Sequence, residues 1–327
     1  MRSTCAVYVD AGYLLASAAT RVTGTSLRNG VHVDFPDLIK EILRAAHDLS
    51  GLPVLRLHWY DSAKNGVPDP QQERIGELPR VKLRLGRFGV DGQQKGVDLR
   101  IGLDMAAHAR NHASDVFVLL SGDDDLTEAV EEAQVHGVQV TVMAVPTADG
   151  KPHGVSRHLI RAADDLSLLP GAAIDRTVIR RLVTPETPQP IPVPVPKPRP
   201  KPAAPTFPTP NDLAAHPRPP AAQPVSATVA YSGVTGGPAH VMPGYDCADD
   251  AGDDQIDAVV TKVLTAYRQS ATPQDLADLR RGRPSIPRDI DRALLVDASE
   301  VLDAEDLSER IRYRLRDRFW DKVAELL

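Results

Sequence analysis

Cysteine is scarce in this sequence, and the two thiols that it contains are far apart. Cys5 and Cys247 form neither a CxxC pair nor a spacing typical of a disulfide framework. A small fold stabilised by several disulfides is therefore excluded. The cysteine usage predicts a reducing compartment, and we expect the protein to be cytoplasmic.

Long hydrophobic runs are also lacking. No apolar stretch approaches the roughly 20 residues that a membrane-spanning helix needs. Asp10 interrupts the apolar N-terminal stretch that would otherwise have to form the core of a signal peptide. We therefore expect no membrane association.

An excess of positive charge is the third missing feature. The 327 residues include 38 Lys and Arg against 44 Asp and Glu, which gives a net charge of −6. This balance argues against a broad, sequence-independent grip on nucleic acid, so a nucleic-acid role would need a local basic patch. With 42% hydrophobic and 25% charged residues, the chain is long enough for one or two globular cores.

Proline is abundant but unevenly placed, with 16 of the 29 prolines between residues 185 and 224. Alternating proline favours an extended polyproline II spacer and excludes a packed core. We therefore predict a first domain over residues 1–175, a disordered proline-rich linker over 176–250 and a small all-α domain over 251–327. The linker is a tether or a ligand for a proline-recognising partner.

Strand and helix patterns alternate through the first 170 residues. This alternation predicts an α/β fold in which a mostly parallel sheet is flanked by helices on both faces. Residues 11–33 and 61–73 are interpreted as polar segments without regular structure. Predicted strands cover residues 5–9, 53–60, 80–88, 115–120 and 138–145, and predicted helices begin near Asp34, Lys95, Leu126 and Ser156.

Carboxylates follow two of these strands. Asp10 ends the first strand, and the segment Ser121-Gly122-Asp123-Asp124-Asp125 follows the strand at 115–120. Asp residues suit a helix start, because they accept hydrogen bonds from free backbone N–H groups. They also suit a divalent-metal site, because side chains at the carboxyl ends of parallel strands meet at one edge of the sheet.

With the segment Lys95-Gly96-Val97-Asp98 between these acids, the first 170 residues resemble an NYN domain, a branch of the PIN-like metal-dependent ribonuclease superfamily. The resemblance implies a PIN-like parallel sheet and cleavage of RNA phosphodiester bonds with Mg²⁺ or Mn²⁺. It also implies a set of metal-binding and catalytic acids, which here are Asp10, Asp98, Asp123 and Asp125, with Asp104 as a further acid.

The sequence departs from the family pattern at Tyr13, where an Asn is common. Asp104 is a weaker metal ligand, because six residues past Asp98 is about 240° around a helix. Alternatively, zinc could be bound by Asp104 with His108 and His112, which are four residues apart. Weaker substrate-contact candidates are Ser121, Lys95, Arg100, Lys64 and Asn65.

Three functions are compatible with these residues. The first is a metal-dependent endoribonuclease, and the second is a catalytically weak or inactive RNA-binding or scaffold protein that keeps the fold. The third is a phosphotransfer enzyme with an aspartate nucleophile, which is disfavoured because Gly12 stands where a haloacid-dehalogenase-like site needs a second Asp.

The last 75 residues show helical periodicity only. Arginines crowd the final predicted helix, 304–326, and they either contact RNA or form a solvated, ion-paired face. We expect them to pair with Glu305, Asp306, Glu309, Asp317 and Asp321. These helices and the proline-rich segment are the two candidate sites for a protein partner, and the sequence predicts no oligomeric state.

Overall fold

The computed structural model describes residues 3–63, 66–88, 94–181, 252–304 and 307–326. The predicted proline-rich linker lies outside the described residues, apart from its first positions up to 181.

In chain order the elements are β1 (Cys5–Asp10), α1 (Ala11–Thr23), β2 (Val31–Val33), α2 (Phe35–Ser50), β3 (Val54–Ala63), α3 (Pro70–Glu77), β4 (Val81–Phe88), β5 (Gln94–Lys95), α4 (Val97–Arg110), β6 (Val116–Leu120), α5 (Thr127–Val135), β7 (Gln139–Ala144), α6 (Arg157–Ala162), β8 (Asp165–Leu168), α7 (Gly171–Thr177), β9 (Val178–Arg180), α8 (Asp253–Ser270), α9 (Pro273–Arg281), α10 (Arg288–Val301) and α11 (Glu309–Leu326). Within the described ranges, no helix is long and apolar enough to cross a membrane.

The main sheet has the strand order β5-β4-β3-β1-β6-β7-β8. Six of its strands run parallel, and the short β5 pairs antiparallel with β4. Strands β2 and β9 form a separate antiparallel pair. The predicted α/β class, a parallel sheet flanked by helices, is confirmed.

Each face of the sheet is covered by its own helices. On one face, Val7 and Val9 of β1 pack in a cluster with residues of α1 and α2. On the other face, Tyr8 of the same strand packs with residues of α4 and α5. Because successive side chains of a strand point to opposite faces, the apolar run of β1 contributes to both cores.

Two helices lie where the sequence predicted irregular segments. Helix α1 has a buried face made largely of small residues, with Leu14 as its one large, fully buried apolar side chain, so the helical spacing of large apolar residues is weak. Helix α3 begins with Asp69 as N-cap and Pro70 in the first turn, residues that also suit a turn. Both predictions were wrong because small or turn-forming residues concealed the helical pattern.

The C-terminal region is entirely helical in its described residues, as predicted. The helices share one core, and this core also contains Leu27, which is fully buried. Arginines of α11 pair with acids of other helices, namely Arg314 with Asp253, Arg316 with Asp291 and Arg318 with Asp257. Of the five predicted acidic partners, Glu309 pairs with Arg312 at 3.6 Å, whereas Glu305 and Asp306 lie outside the described residues.

Leu27 should therefore contribute to the stability of the helical region. We expect Leu27→Ala to lower the free energy of unfolding of the full chain by about 2–5 kcal/mol, because it removes buried methyl groups and leaves a cavity. Chemical denaturation followed by circular dichroism measures this change. Leu103→Ala, at a position 61% exposed, is the matched control, and an equal loss in both variants would contradict the packing described.

Candidate active site at the carboxyl ends of strands β1 and β6

The strand order reverses at β1. From β1 the chain moves outward through β3 to β4 and β5, and it then returns to β6 on the other side of β1. In open parallel sheets, this switch point is where ligands bind, beyond the carboxyl ends of the strands. Asp10 is the last residue of β1, and Asp123 follows the end of β6 by three residues. The structure therefore brings the two strands that carry these acids side by side.

Asp10 is held in place by the start of helix α1. Its Oδ1 accepts a hydrogen bond from the backbone N–H of Gly12 at 2.7 Å, which makes Asp10 the N-cap of α1. The Ser121 hydroxyl lies 3.5 Å from Oδ2 as a donor. The residue is only 7% exposed, and burial raises the pKa of its carboxyl, against the lowering effect of the Tyr13 and Gly12 N–H groups and of nearby arginines.

Ser121 links the two acids. Its buried hydroxyl donates toward Asp10 and accepts a hydrogen bond from the Asp123 N–H at 3.2 Å. Between them, Gly122 passes so close to the neighbouring loop that an added Cβ would lie 1.8 Å from the Gly154 carbonyl oxygen. Only glycine fits there, so the glycine of the Ser-Gly-Asp sequence is a steric requirement of this turn.

Asp123 and Asp124 have different roles in the helix start. Asp123 is the N-cap of the one-turn 3-10 helix Asp124–Leu126 that precedes α5, because its Oδ1 accepts a hydrogen bond from the Asp125 N–H at 3.1 Å. Asp124 instead binds the Ser156 hydroxyl, and its Oδ2 lies 3.3 Å from His158 Nδ1. These hydrogen bonds, from Ser156 first, lower the pKa of the Asp124 carboxyl. The capping residue is therefore Asp123, whereas Asp124 ties the turn to α6.

Asp98 completes the group of acids from the first turn of α4. An added Cβ on Gly86 of β4 would lie 2.7 Å from Val97 Cγ2, so this glycine allows α4 to begin close to the sheet. Burial, followed by the charges of Asp10, Asp123 and Asp125, raises the pKa of Asp98 from 3.8 to about 6. The four carboxylates are thus close enough to repel one another.

The donor set fits a hard divalent cation. Burial and the charges of Asp10, Asp123 and Asp125 raise the pKa of Asp98, so a compensating positive charge would stabilise this group, and Mg²⁺ and Mn²⁺ prefer oxygen ligands. Among the described residues, however, no three His, Cys, Asp or Glu side chains already surround one point as metal ligands. The match is therefore one of chemistry and charge, without a preformed coordination shell.

Asp104 lies in a different environment. Its Oδ2 accepts a hydrogen bond from the Tyr60 hydroxyl at 2.9 Å and lies 3.1 Å from Arg84 Nε. His108 Nδ1 lies 2.9 Å from the Tyr8 hydroxyl. Helix α4 ends at Arg110, so His112 does not share a helix face with His108 as the zinc hypothesis requires. The structure thus gives that hypothesis no support.

The weaker substrate-contact candidates lie in several parts of the first domain. Arg100 donates from Nη1 to the Leu85 carbonyl oxygen at 2.8 Å. Lys95 belongs to the short strand β5, and Ser121 is committed to the two acids that it joins. Lys64 and Asn65 lie outside the described residues. Among the candidates whose side chains the structure describes, Ser121 is the one that hydrogen-bonds to Asp10 and to the Asp123 N–H.

Tyr13 serves a structural purpose at the position where the family commonly has Asn. Its hydroxyl donates to the His153 carbonyl oxygen at 2.8 Å and accepts from the Val145 N–H at 3.2 Å. An added Cβ on Gly122 would lie 2.9 Å from its ring. Tyr13 therefore packs the 145–154 loop against the Ser-Gly-Asp turn, and its hydroxyl hydrogen-bonds to the backbone of that loop.

Two arginines beside Asp10 were missed by sequence reasoning. The Nη2 atom of Arg28 donates to the Gly12 carbonyl oxygen at 2.7 Å. An added Cβ on Gly12 would lie 2.8 Å from Asp10 Oδ1, 3.2 Å from Arg28 Nη2 and 3.1 Å from Arg292 Nη2. Asp61, near the end of β3, is a further acid close to Arg28. No local sequence signal could have found them, because they meet through tertiary packing.

Comparison with known families agrees with this arrangement. The model of the NYN domain matches residues 4–169, which is just over half of the chain. The chain belongs to the NYN domain family. NYN domains have a PIN-like nuclease fold and are generally nucleases, typically with divalent metals, and the family implies binding to RNA.

One curated relative is an uncharacterized protein of Sinorhizobium fredii, y4oD. The two sequences are 43% identical over 79 residues, which cover 24% of this chain and 37% of the relative. The chain thus spans little more than a third of the relative's length. This likeness supports common ancestry over that segment and carries no statement of function.

The raised pKa of Asp98 has a consequence for stability. Because the folded state holds the Asp98 proton more tightly than the unfolded chain, stability is lost as pH rises from about 4 to about 6. We expect Asp98→Asn to raise the free energy of unfolding at pH 7.5 in EDTA by about 1 kcal/mol, a value discounted because the group is partly exposed. At pH 4 or below, the two proteins should be nearly equal.

Thermal denaturation with and without Mn²⁺ measures this effect. Mn²⁺ should stabilise the wild type more than Asp98→Asn, because a bound ligand adds to the stability of the folded state. Asp48→Asn, on the exposed side of α2, is the control and should change stability by less than about 0.5 kcal/mol. A less stable Asp98→Asn at pH 7.5 in EDTA would show that the carboxylates do not repel one another as described.

Proposed function

We propose that this NYN protein is a metal-dependent endoribonuclease that hydrolyses RNA phosphodiester bonds at Asp10, Asp98, Asp123 and Asp125. The observation that carries the proposal is the convergence of these acids at the switch point of the sheet, with Asp98 perturbed by the other three. Perturbed carboxylates of this kind cluster at functional sites. The nuclease character of the family supports the same reaction.

The chain's own residues have distinct tasks in this reaction. Asp10 and Asp123, each fixed by a backbone N–H, would hold the cation directly. Asp98 and Asp125 would orient the attacking water or hold a second ion, and a carboxyl with a pKa of about 6 suits proton transfer near neutral pH. A bound Mg²⁺ or Mn²⁺ supplies Lewis acidity, which neutralises charge on the phosphate and acidifies a water molecule.

A cleft beside the acids offers room for the substrate. Its volume is about 680 Å³, within the range of small-ligand pockets. Arg28 and Asp61 lie on its wall toward the acids, and Asn29, Arg74 and Arg181 line it as well. We assign this cleft to the nucleotide next to the bond that is cut, because it presents cations and hydrogen-bonding groups together.

The remaining parts of the chain are assigned by the same reasoning. We propose residues 1–175, extended by strand β9, as the catalytic domain, the proline-rich remainder of 176–250 as a tether and 251–327 as an accessory domain. Cys5 is a free, buried thiol, which suits the reducing environment of the cytoplasm. The accessory helices and the tether are where a protein partner would bind.

A second candidate function is a catalytically weak RNA-binding or scaffold protein that keeps the PIN-like fold. Two observations favour it: the absence of a preformed ligand shell among the described residues, and the engagement of the Tyr13 hydroxyl with the backbone of the 145–154 loop. This function requires RNA binding without cleavage, so a cleavage assay distinguishes it from the nuclease function.

Cleavage should depend on Asp123. With Mn²⁺ or Mg²⁺, we expect the wild type to cut single-stranded or structured RNA, and Asp123→Asn to be slower by roughly 100-fold or more, because a charge needed for the metal and for proton transfer is lost. EDTA should abolish cutting. Gel electrophoresis of end-labelled RNA measures the rate.

Asp124→Asn is the matched control, since Asp124 is the adjacent acid and binds Ser156 and His158 instead. It should cut at close to the wild-type rate. A wild type that cuts nothing with any metal, or an Asp123→Asn that cuts equally well, would refute the nuclease proposal. RNA binding without cutting would favour the scaffold function.

A further inference from the structure

Helix α10 lies against the first domain next to the acids. The Asn29 amide donates to Asp289 Oδ2 at 2.8 Å, and the Ser26 N–H donates to Asp297 Oδ1 at 2.9 Å. Between these two contacts, Leu27 is buried in the core of the C-terminal helices. The segment that follows α1 is therefore held by polar groups from the N-terminal end and the middle of α10.

A third contact fixes the far end of the same helix. His153 Nε2 lies 3.4 Å from Glu300 Oε2, and His153 Nδ1 lies 3.0 Å from the Ser17 hydroxyl. The His153 carbonyl oxygen also accepts the hydrogen bond from Tyr13. This contact ties α10 to the loop that supports the Ser-Gly-Asp turn, so the helix has a defined orientation relative to the acids.

Arg292 projects from this helix toward Asp10. Its Nη2 atom, Arg28 Nη2 and Asp10 Oδ1 all lie within about 3 Å of one point above Gly12, as given by the added Cβ. Arg292 as a whole is exposed, whereas its Nη2 atom lies beside Gly12. Arg28 is more deeply buried and lines the adjacent cleft. Arg28 and Arg292 therefore lie between the acids and the cleft.

Resting on the function proposed above, we propose that Arg292 of α10, together with Arg28, binds a phosphate group of the RNA substrate beside Asp10. The accessory helices then form part of the substrate-binding surface. RNA reaches an acidic site only if cations offset the repulsion between phosphate and carboxylates, and guanidinium groups bind phosphate through paired N–H donors. Because the net charge of the chain is −6, RNA binding depends all the more on a local pair of cations such as this one.

Charge repulsion between the two arginines supports a site for an anion. Burial, and next the charge of Arg292, lowers the pKa of Arg28 to about 10, whereas Asp10, Asp61 and Asp289 oppose the shift. Two like charges brought together are stabilised by an anion that binds both. The three nearby carboxylates supply part of that negative charge, and a phosphate supplies more.

RNA binding in EDTA tests the proposal independently of cleavage. Full-length wild type, Arg292→Gln, Arg292→Lys and Arg281→Gln are titrated into a short fluorescein-labelled single-stranded RNA, and anisotropy is measured at several salt concentrations. Arg281 is the matched control, because it is an exposed arginine that pairs only locally with Asp278 at 2.8 Å. Circular dichroism melts verify that each variant is folded.

We expect Arg292→Gln to weaken binding roughly tenfold, as for a lost hydrogen bond to a charged group. The slope of log Kd against log salt should fall by about 0.7, the value for one phosphate contact on a single strand. Arg292→Lys keeps the charge but not the paired donors, so its affinity for RNA should lie between those of the wild type and Arg292→Gln. Arg281→Gln should bind as the wild type does.

Three results would overturn the proposal. They are equal binding by Arg292→Gln and the wild type, tighter binding or faster cutting by Arg292→Gln, and no RNA binding by the wild type. The second result would mean that Arg292 shields Asp10 from substrate and metal. If the wild type binds RNA through Arg292 but never cuts it, the nuclease proposal fails and this inference stands. If it cuts RNA without needing Arg292, this inference fails and the nuclease proposal stands.

Discussion

The burial of Asp98 among the charges of Asp10, Asp123 and Asp125 is the constraint around which the site is built. The fold holds two of these acids by using them as helix N-caps, and it holds Asp98 by starting α4 against a glycine of β4. Each acid is thus fixed by an interaction that contributes to stability on its own. Structural capping and metal binding are compatible interpretations of the same carboxylates, since the capping bonds occupy only some of their lone pairs.

The C-terminal helices extend the site beyond the NYN domain. Leu27 joins their core, and Arg292 stands beside Asp10 in the same region as Arg28. The position of these cations depends on the docking of α10 through Asp289, Asp297 and Glu300. The electrostatic environment of the acids therefore depends on the packing of helix α10, which lies some 280 residues further along the chain.

Sequence alone predicts the sheet and the meeting of Asp10 with the Ser-Gly-Asp turn, because parallel strands bring their carboxyl ends to one edge. It also predicts α2 and α4, whose large apolar residues recur at helical spacing. It fails for α1, whose buried face is rich in Ala and Ser, and for the capping role of Asp123, which depends on local geometry. Arg28 and Arg292 leave no local signal, since only the packing of α10 joins them.

Proton release on metal binding tests the central claim most directly. Mn²⁺ is titrated into the full-length protein by calorimetry at pH 6 and pH 8, in buffers of different ionisation enthalpy. Because burial and neighbouring charges raise the pKa of Asp98 to about 6, we expect Mn²⁺ to bind, to release up to about half a proton at pH 6 and almost none at pH 8. Absence of Mn²⁺ binding, or equal proton release at both pH values, would contradict a metal site in which Asp98 is buried among the charges of Asp10, Asp123 and Asp125.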